Sequence, residues 1–368
     1  MHPKLQHLMQ DATRLVRGGN LAAATALIKA ALTGSPAKPA AGMPPNADAI
    51  VLDVEAREVP SPATPLPQRE EADVATPRPS SGGTFVPGRG GDGRAQRDYK
   101  LYVPPQAGQR PLPLVVMLHG CTQDPDDFAA GTRMNEAARR EGFFVLYPAQ
   151  STQANPQRCW NWFKHSHQER GRGEPALLAA MTRSVMARHG VDPARVYVAG
   201  LSAGGAMAAI LGDAYPDLYA AVGVHSGLAA GAAKGLPSAL AAMRSGGSAA
   251  RGAASGVPTI VFHGDADQTV HPANGHDVVR ASAGSDRDPE ARRQSVAGGR
   301  SYTQRVHRSP GGEVLAEHWE VHGSGHAWSG GSPQGSYTDP AGPDATEQML
   351  RFFLAHPRRE VTPPHGSA

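Results

Sequence analysis

Gly200-Leu201-Ser202-Ala203-Gly204 is the pattern in this chain best suited to chemistry. A short apolar run, Val196 to Ala199, precedes it, and a small-residue helical pattern, Ala203 to Leu211, follows. A strand-to-helix turn this tight leaves no room for a Cβ two residues before or after the serine, hence a glycine at both places. The Ser202 hydroxyl is then held exposed on a strained corner beside the amides of a helix N-terminus. That context predicts a nucleophile; the plainer alternative is a Gly/Ser turn that only joins two elements.

A serine hydroxyl is a poor nucleophile at neutral pH, so it needs a base, and the base needs an acid to orient it. After the apolar run Thr259 to Phe262 comes His263-Gly264-Asp265-Ala266-Asp267-Gln268-Thr269-Val270. A carboxylate on the loop leaving a strand suits the acid; Asp267 is the choice and Asp265 the fallback, unless both only cap the next helix. Further on, Val321-His322-Gly323-Ser324-Gly325-His326-Ala327-Trp328 puts a histidine in a glycine-rich loop. His326 is assigned as general base, and His322, still on the strand, as a core or supporting residue. A tetrahedral intermediate needs two amide donors. One is assigned to Ala203 and the other to Cys121, in Leu118-His119-Gly120-Cys121-Thr122-Gln123, with His119 orienting that loop. The chemistry implied is acyl transfer through a serine, which needs no cofactor. The other histidines show no metal-ligand spacing.

The elements that must position these residues alternate between strand and helix. Thr84 to Val86 and Tyr99 to Val103 look like an opening strand pair, and Leu114 to Leu118 is a buried strand. Asp126 or Asp127 can cap a helix ending near Glu141-Gly142. Strands are expected at Phe143 to Tyr147, Val196 to Ala199, Ala221 to His225 and Thr259 to His263, with a hairpin around Pro310-Gly311-Gly312. Helices are expected at Glu174 to His189 and Asp344 to Leu354. Such alternation implies right-handed crossovers and a mainly parallel sheet. This is the α/β-hydrolase pattern, in which the chain order is serine, acid, histidine.

With 368 residues, the chain is long enough for one large α/β domain plus extensions. Residues 1–33 carry two apolar helical stripes broken at Gly18-Gly19-Asn20 and read as a hairpin, docking on the main domain or on a hydrophobic surface. Residues 34–81 are rich in Pro and Ala and read as a disordered linker, residues 82–357 as the catalytic domain, and 358–368 as a disordered tail. A net charge of +3 does not suggest nucleic-acid binding, and no apolar run is long enough to span a membrane. The N-terminus lacks a signal-peptide pattern, which favours a cytoplasmic location or export by another route. The two cysteines, Cys121 and Cys159, are either buried thiols or, since both fall in loops placed beside the site, a bridge; a bridge would indicate an oxidising compartment.

Taken together, Tyr99 to Pro104, Pro113 to Gln123, Cys159-Trp160-Asn161-Trp162-Phe163, Val198 to Met207, His263 to Val270 and Gly325 to Trp328 resemble the polyhydroxybutyrate depolymerase family of esterases. The resemblance covers roughly residues 82 to 355. It implies an extracellular-type serine hydrolase of poly- or oligo-(3-hydroxyalkanoate) esters, with relatives acting on feruloyl or acetyl esters. It also implies a Cys121–Cys159 bridge, and Trp160, Trp162 and Trp328 lining the ester groove. Without a visible signal peptide or polymer-binding domain, oligomers, amorphous polymer or small esters are expected as substrates before crystalline granules. The contrasting expectation is a non-catalytic protein associated with polymer.

Overall fold

The structure, a computed structural model of the chain, describes residues 82–93, 95–247, 256–284 and 289–358. The hairpin expected over 1–33, the linker over 34–81 and, Arg358 apart, the tail over 358–368 lie outside the described residues.

Every residue of β3 (Leu112–Leu118) is buried. Its side chains alternate: Leu114, Val116 and Leu118 join one apolar cluster, Val115 and Met117 the other. A period of two with both faces apolar is the mark of a strand covered on both sides. The same holds for β4 (Phe144–Pro148), β6 (Ala221–His225) and β7 (Thr259–Gly264), all wholly buried. With β5 (Val191–Leu201) and β10 (Val314–Val321) they form a parallel run in the order β4-β3-β5-β6-β7-β10. β1 (Thr84–Gly91) and β2 (Gln96–Val103) extend one side in antiparallel fashion. β9 (Ser301–Arg308) and β8 (Glu290–Ser295) extend the other. The exposed edge strand β8 carries Glu290, Arg292 and Arg293, charges that discourage pairing with another sheet.

Seven helices flank the sheet among the described residues. α1 (Pro125–Thr132), α2 (Met134–Glu141) and α7 (Ala345–Ala355) supply one core cluster. α3 (Gly173–Arg188), α4 (Ala203–Ala214), α5 (Leu236–Ser245) and α6 (Ala273–Ala283) supply the other. The architecture is an α/β-hydrolase fold.

One element departs from expectation. The helix expected to run unbroken to Glu141 is capped by Asp124, which accepts from the amides of Asp126 and Asp127, and it breaks at Arg133. Arg133 has a left-handed φ of 53° and sends its guanidinium to Gly330 O (2.8 Å) and to Asp344 (3.2 Å), ending α1 in order to hold a distant loop. Asp127, not needed as a cap, binds the amide and hydroxyl of Ser336 instead.

Parallel strands put their carboxyl ends on one edge of the sheet, and there the candidate residues collect. His119 follows β3, Ser202 follows β5, Asp267 follows β7 and His326 follows β10.

Candidate active site

Ser202 sits between β5 and α4 with φ 58° and ψ −118°, a conformation a non-glycine residue adopts only when its surroundings enforce it. Two hydrogen bonds do so: its amide donates to His225 O (2.9 Å), and its carbonyl accepts from Ala206 N (2.9 Å), the first bond of α4. The flanking glycines are sterically required. A Cβ on Gly200 would lie 2.7 Å from Leu118 O, and one on Gly204 would overlap that same carbonyl and come within 2.6 Å of His119 O. The elbow is therefore pressed against the end of β3, where the next loop begins.

In that loop the donors sort themselves by what they already bind. Gly120 N–H is taken by Gln123 Oε1 (2.9 Å), and Thr122 N–H by Gln157 O (2.7 Å). The amide of Cys121 between them has no acceptor among the described residues; neither has that of Ala203, in the first turn of α4. His119 fixes the orientation of the Cys121 amide. Its Nε2 accepts from Gln150 N–H (3.1 Å), so Nδ1 carries the proton and donates to Gly120 O (2.7 Å). The Gly120 carbonyl and the Cys121 N–H belong to one planar trans peptide, so holding the carbonyl aims the N–H the opposite way. Burial drives the His119 pKa down to about 4, which keeps the ring in this neutral tautomer.

Behind His119 lies a buried carboxylate. Glu174 accepts from Gln150 Nε2 (2.6 Å), Asn161 N (2.7 Å) and Asn161 Nδ2 (2.7 Å), and faces His167 Nδ1 at 3.5 Å. Burial alone would raise its pKa, but the neighbouring His167 ring and the hydrogen bonds from Gln150 and Asn161 outweigh burial and hold it below the usual carboxylate range. This network fixes both Gln150 and the segment that carries Cys159, and Cys121 and Cys159 are bridged.

Asp267 accepts at both oxygens. Oδ1 takes the amides of Thr269 (2.8 Å) and Val270 (2.9 Å), and Oδ2 takes His326 Nδ1 (2.7 Å) with His263 Nε2 at 3.5 Å. Burial pushes its pKa up, yet the close His263 ring, whose Nε2–H goes to Val270 O (2.8 Å), and the hydrogen bond from His326 prevail and hold it far below the ordinary value. With Nδ1–H given to Asp267, the Nε2 lone pair of His326 is left to take a proton. His225 ties this imidazole's loop to the elbow: its carbonyl accepts Ser202 N–H, and its Nε2 accepts Ser329 N–H (2.9 Å), just beyond His326. Among the described residues the Ser202 hydroxyl makes no hydrogen bond, and catalytic contacts of this kind often close only around substrate.

A second Asp–His pair lies nearby. Asp265 Oδ2 meets His322 Nδ1 at 2.8 Å, but His322 Nε2 is already engaged by Thr303 Oγ1 (2.8 Å), so that ring has no nitrogen left for Ser202. Among the described residues no group of three His, Cys, Asp or Glu side chains is placed to hold a metal ion.

A strained serine corner, two unengaged amides and an Asp–His pair with a free Nε2 thus lie on one edge of the sheet. The family model described as esterase PHB depolymerase matches residues 97–285. The chain belongs to this esterase PHB depolymerase family. Poly(3-hydroxyalkanoate) depolymerase C of Paucimonas lemoignei is 35% identical over 230 residues, 58% of this chain and 54% of that protein. Feruloyl esterase B of Thermothelomyces thermophilus is 34% identical over 149 residues, 40% of this chain and 50% of that protein. The chain thus spans about half the length of the curated relatives it matches. An acetyl xylan esterase from Aspergillus awamori shares the fold with a TM-score of 0.57 at 18% identity, over 73% of this chain and 99% of that one.

For this member of the PHB depolymerase family, the expectation that three tryptophans line the ester groove is corrected. Trp160 is 0% exposed, Trp328 1% and Trp162 5%. The indole N–H of Trp160 donates to His119 O (3.1 Å) and that of Trp328 to Thr346 Oγ1 (3.1 Å), while Trp328 stacks on His225 with ring centroids 5.0 Å apart. Large rings whose polar tips find partners inside are worth more as core than as surface. Trp160 braces the loop of Cys121 and Trp328 that of His326 from behind. Sequence reasoning missed Gln150 and Glu174 altogether, for nothing in their local pattern marks them. His263 was in view, inside the motif that yielded Asp267, but its contact with the acid depends on the fold.

Proposed function

We propose that the protein is a serine esterase that hydrolyses poly- or oligo-(3-hydroxyalkanoate) esters, with residues 82–357 as its catalytic unit. The observation that carries the reading is the strained Ser202 corner, pressed against an oxyanion loop whose Cys121 amide is aimed and unengaged. In the proposed reaction Ser202 Oγ attacks the ester carbonyl while its proton passes to His326 Nε2. Asp267 holds the imidazole and stabilises its charged form, and the amides of Cys121 and Ala203 bind the oxyanion. His326 then protonates the leaving alcohol, and water, deprotonated by His326, releases the hydroxyacid from Ser202. The Cys121–Cys159 bridge supports an oxidising location, extracellular or periplasmic.

The substrate class rests on family membership and on the similarity to a poly(3-hydroxyalkanoate) depolymerase. Near-equal identity to a feruloyl esterase keeps feruloyl or acetylxylan esters as the second reading. The deciding experiment measures soluble 3-hydroxybutyrate released from amorphous poly(3-hydroxybutyrate), with Ser202→Ala alongside. Release that disappears in the variant is the expected result. A protein that leaves the polymer intact yet cleaves methyl ferulate or acetylated xylan overturns the first reading in favour of the second.

A further inference from the structure

With the three tryptophans buried, the apolar contact that an ester substrate needs must come from another side chain. Among the described residues the large hydrophobic side chains that stay exposed are Val86, Leu236, Leu240, Tyr337 and Leu354, and Tyr337, at 46% exposure, is the aromatic of these. It stands at the rim of the candidate site. Its hydroxyl lies 3.1 Å from Thr122 Oγ1, on the residue after Cys121. Thr122 spends its one hydroxyl proton on Cys121 O (2.5 Å), so the tyrosine O–H is the donor of the pair. On its other side, the Tyr337 carbonyl accepts Trp328 N–H (2.7 Å), which ties it to the loop of His326.

The ring is held, not loose. Ser336, immediately before it, gives its amide to Asp127 Oδ1 (2.8 Å), and its carbonyl takes Gln123 Nε2 (3.1 Å). Tyr337 itself has φ 52° and Thr122 has φ 68°, so two non-glycine residues in the left-handed region touch at one spot beside the oxyanion loop. Such conformations persist only where the surroundings enforce them, and they gather at ligand-binding sites. An amphipathic ring with a fixed polar tip and a bare face is suited to packing against an apolar chain.

We propose that Tyr337 is a specificity-determining residue whose exposed ring face packs against a hydroxyalkanoate unit next to the scissile ester. This rests on the polyester reading of the site. The test compares kcat and KM of wild type, Tyr337→Phe, Tyr337→Ala and Tyr337→Asn on a soluble 3-hydroxybutyrate trimer and on p-nitrophenyl acetate, which has no hydroxyalkanoate unit beside its scissile ester. Asparagine tolerates left-handed backbone and so deletes the ring while sparing the loop.

Loss of the ring is expected to raise KM for the trimer about ten-fold, the size of one good aromatic contact, with kcat and acetate turnover little changed. Phenylalanine keeps the wild-type KM to within roughly three-fold, since the Thr122 hydrogen bond is an exposed one. An unchanged trimer KM in both ring-less variants overturns the proposal. So does an equal fall of kcat on both esters, which would make Tyr337 a prop of the oxyanion loop. A wild type inert toward the trimer but active on acetate overturns the polyester reading and the hydroxyalkanoate contact together; an active wild type with unchanged variants overturns the contact alone.

Discussion

At the scale of single residues, two Asp–His pairs compete for one serine, and the free nitrogen decides between them. His326 keeps Nε2 unengaged, whereas His322 gives both nitrogens away, to Asp265 and Thr303. His326→Ala should therefore lower kcat by a factor on the order of 10⁴ to 10⁶. His322→Ala should cost less than about ten-fold, a loss from altered packing and not from missing proton transfer. Steady-state kinetics on any soluble ester compares them, and similar losses in the two variants would contradict the assignment. His119 makes a separate prediction about pH. Its folded pKa near 4 lies below the 6.5 of the unfolded chain, so between those values the unfolded state binds a proton that the folded state refuses. Stability from this group is thus complete above pH 6.5 and falls by about 3 kcal/mol as pH drops to 4. His225 and His318, buried and likewise shifted downward, add in the same direction. Urea midpoints at pH 7 and pH 4.5 should show the loss, with a shallower slope in His119→Asn; a wild-type midpoint that does not move would refute it.

At the scale of elements, the site depends on how closely β3, β5 and α4 approach. Gly204 lies where a Cβ would overlap the Leu118 carbonyl, so Gly204→Ala must push α4 off the end of β3. The expected cost is about 3 kcal/mol of stability. A displacement of Ser202 of even an ångström adds a kcat loss on the order of 10²-fold. Calorimetry and ester turnover read the two effects separately. On α3, Glu174 binds the segment behind the oxyanion loop through three close hydrogen bonds. Glu174→Ala leaves the Asn161 and Gln150 donors buried without their acceptor and should destabilise the protein by about 3 to 5 kcal/mol. Denaturant unfolding measures it, and a loss below about 1 kcal/mol would mean that water readily replaces the carboxylate.

At the scale of the whole molecule, the Cys121–Cys159 bridge closes a loop with a sequence separation of 38 that contains α1, α2 and β4. Loop entropy predicts a loss of about 4 kcal/mol when the bridge is reduced. Activity should fall with it, because Cys121 carries one of the two amides assigned to the oxyanion. Unfolding and turnover with and without a phosphine reductant test both; unchanged turnover in fully reduced protein would remove the bridge from the account of the site. What the sequence by itself determined is what near neighbours control. Apolar runs such as Leu114 to Leu118, short and rich in β-branched residues, read as strands covered on both faces, and the steric demand of the turn at Ser202 is written in its own glycines. Tertiary structure decided what distant residues do to one another. Asp265 and His322 stand 57 residues apart, Asp267 and His326 59 apart, and nothing in that spacing says which ring keeps a free nitrogen. The parallel register of β7 with β10, which sets Gly264 opposite Val321, and the Thr303 hydroxyl of β9 settle it. Burial of the tryptophans and exposure of Tyr337 were hidden for the same reason. Side-chain type fixes what a residue can bind, but only the packed chain fixes which partners come within the few ångströms over which hydrogen bonds and dispersion act.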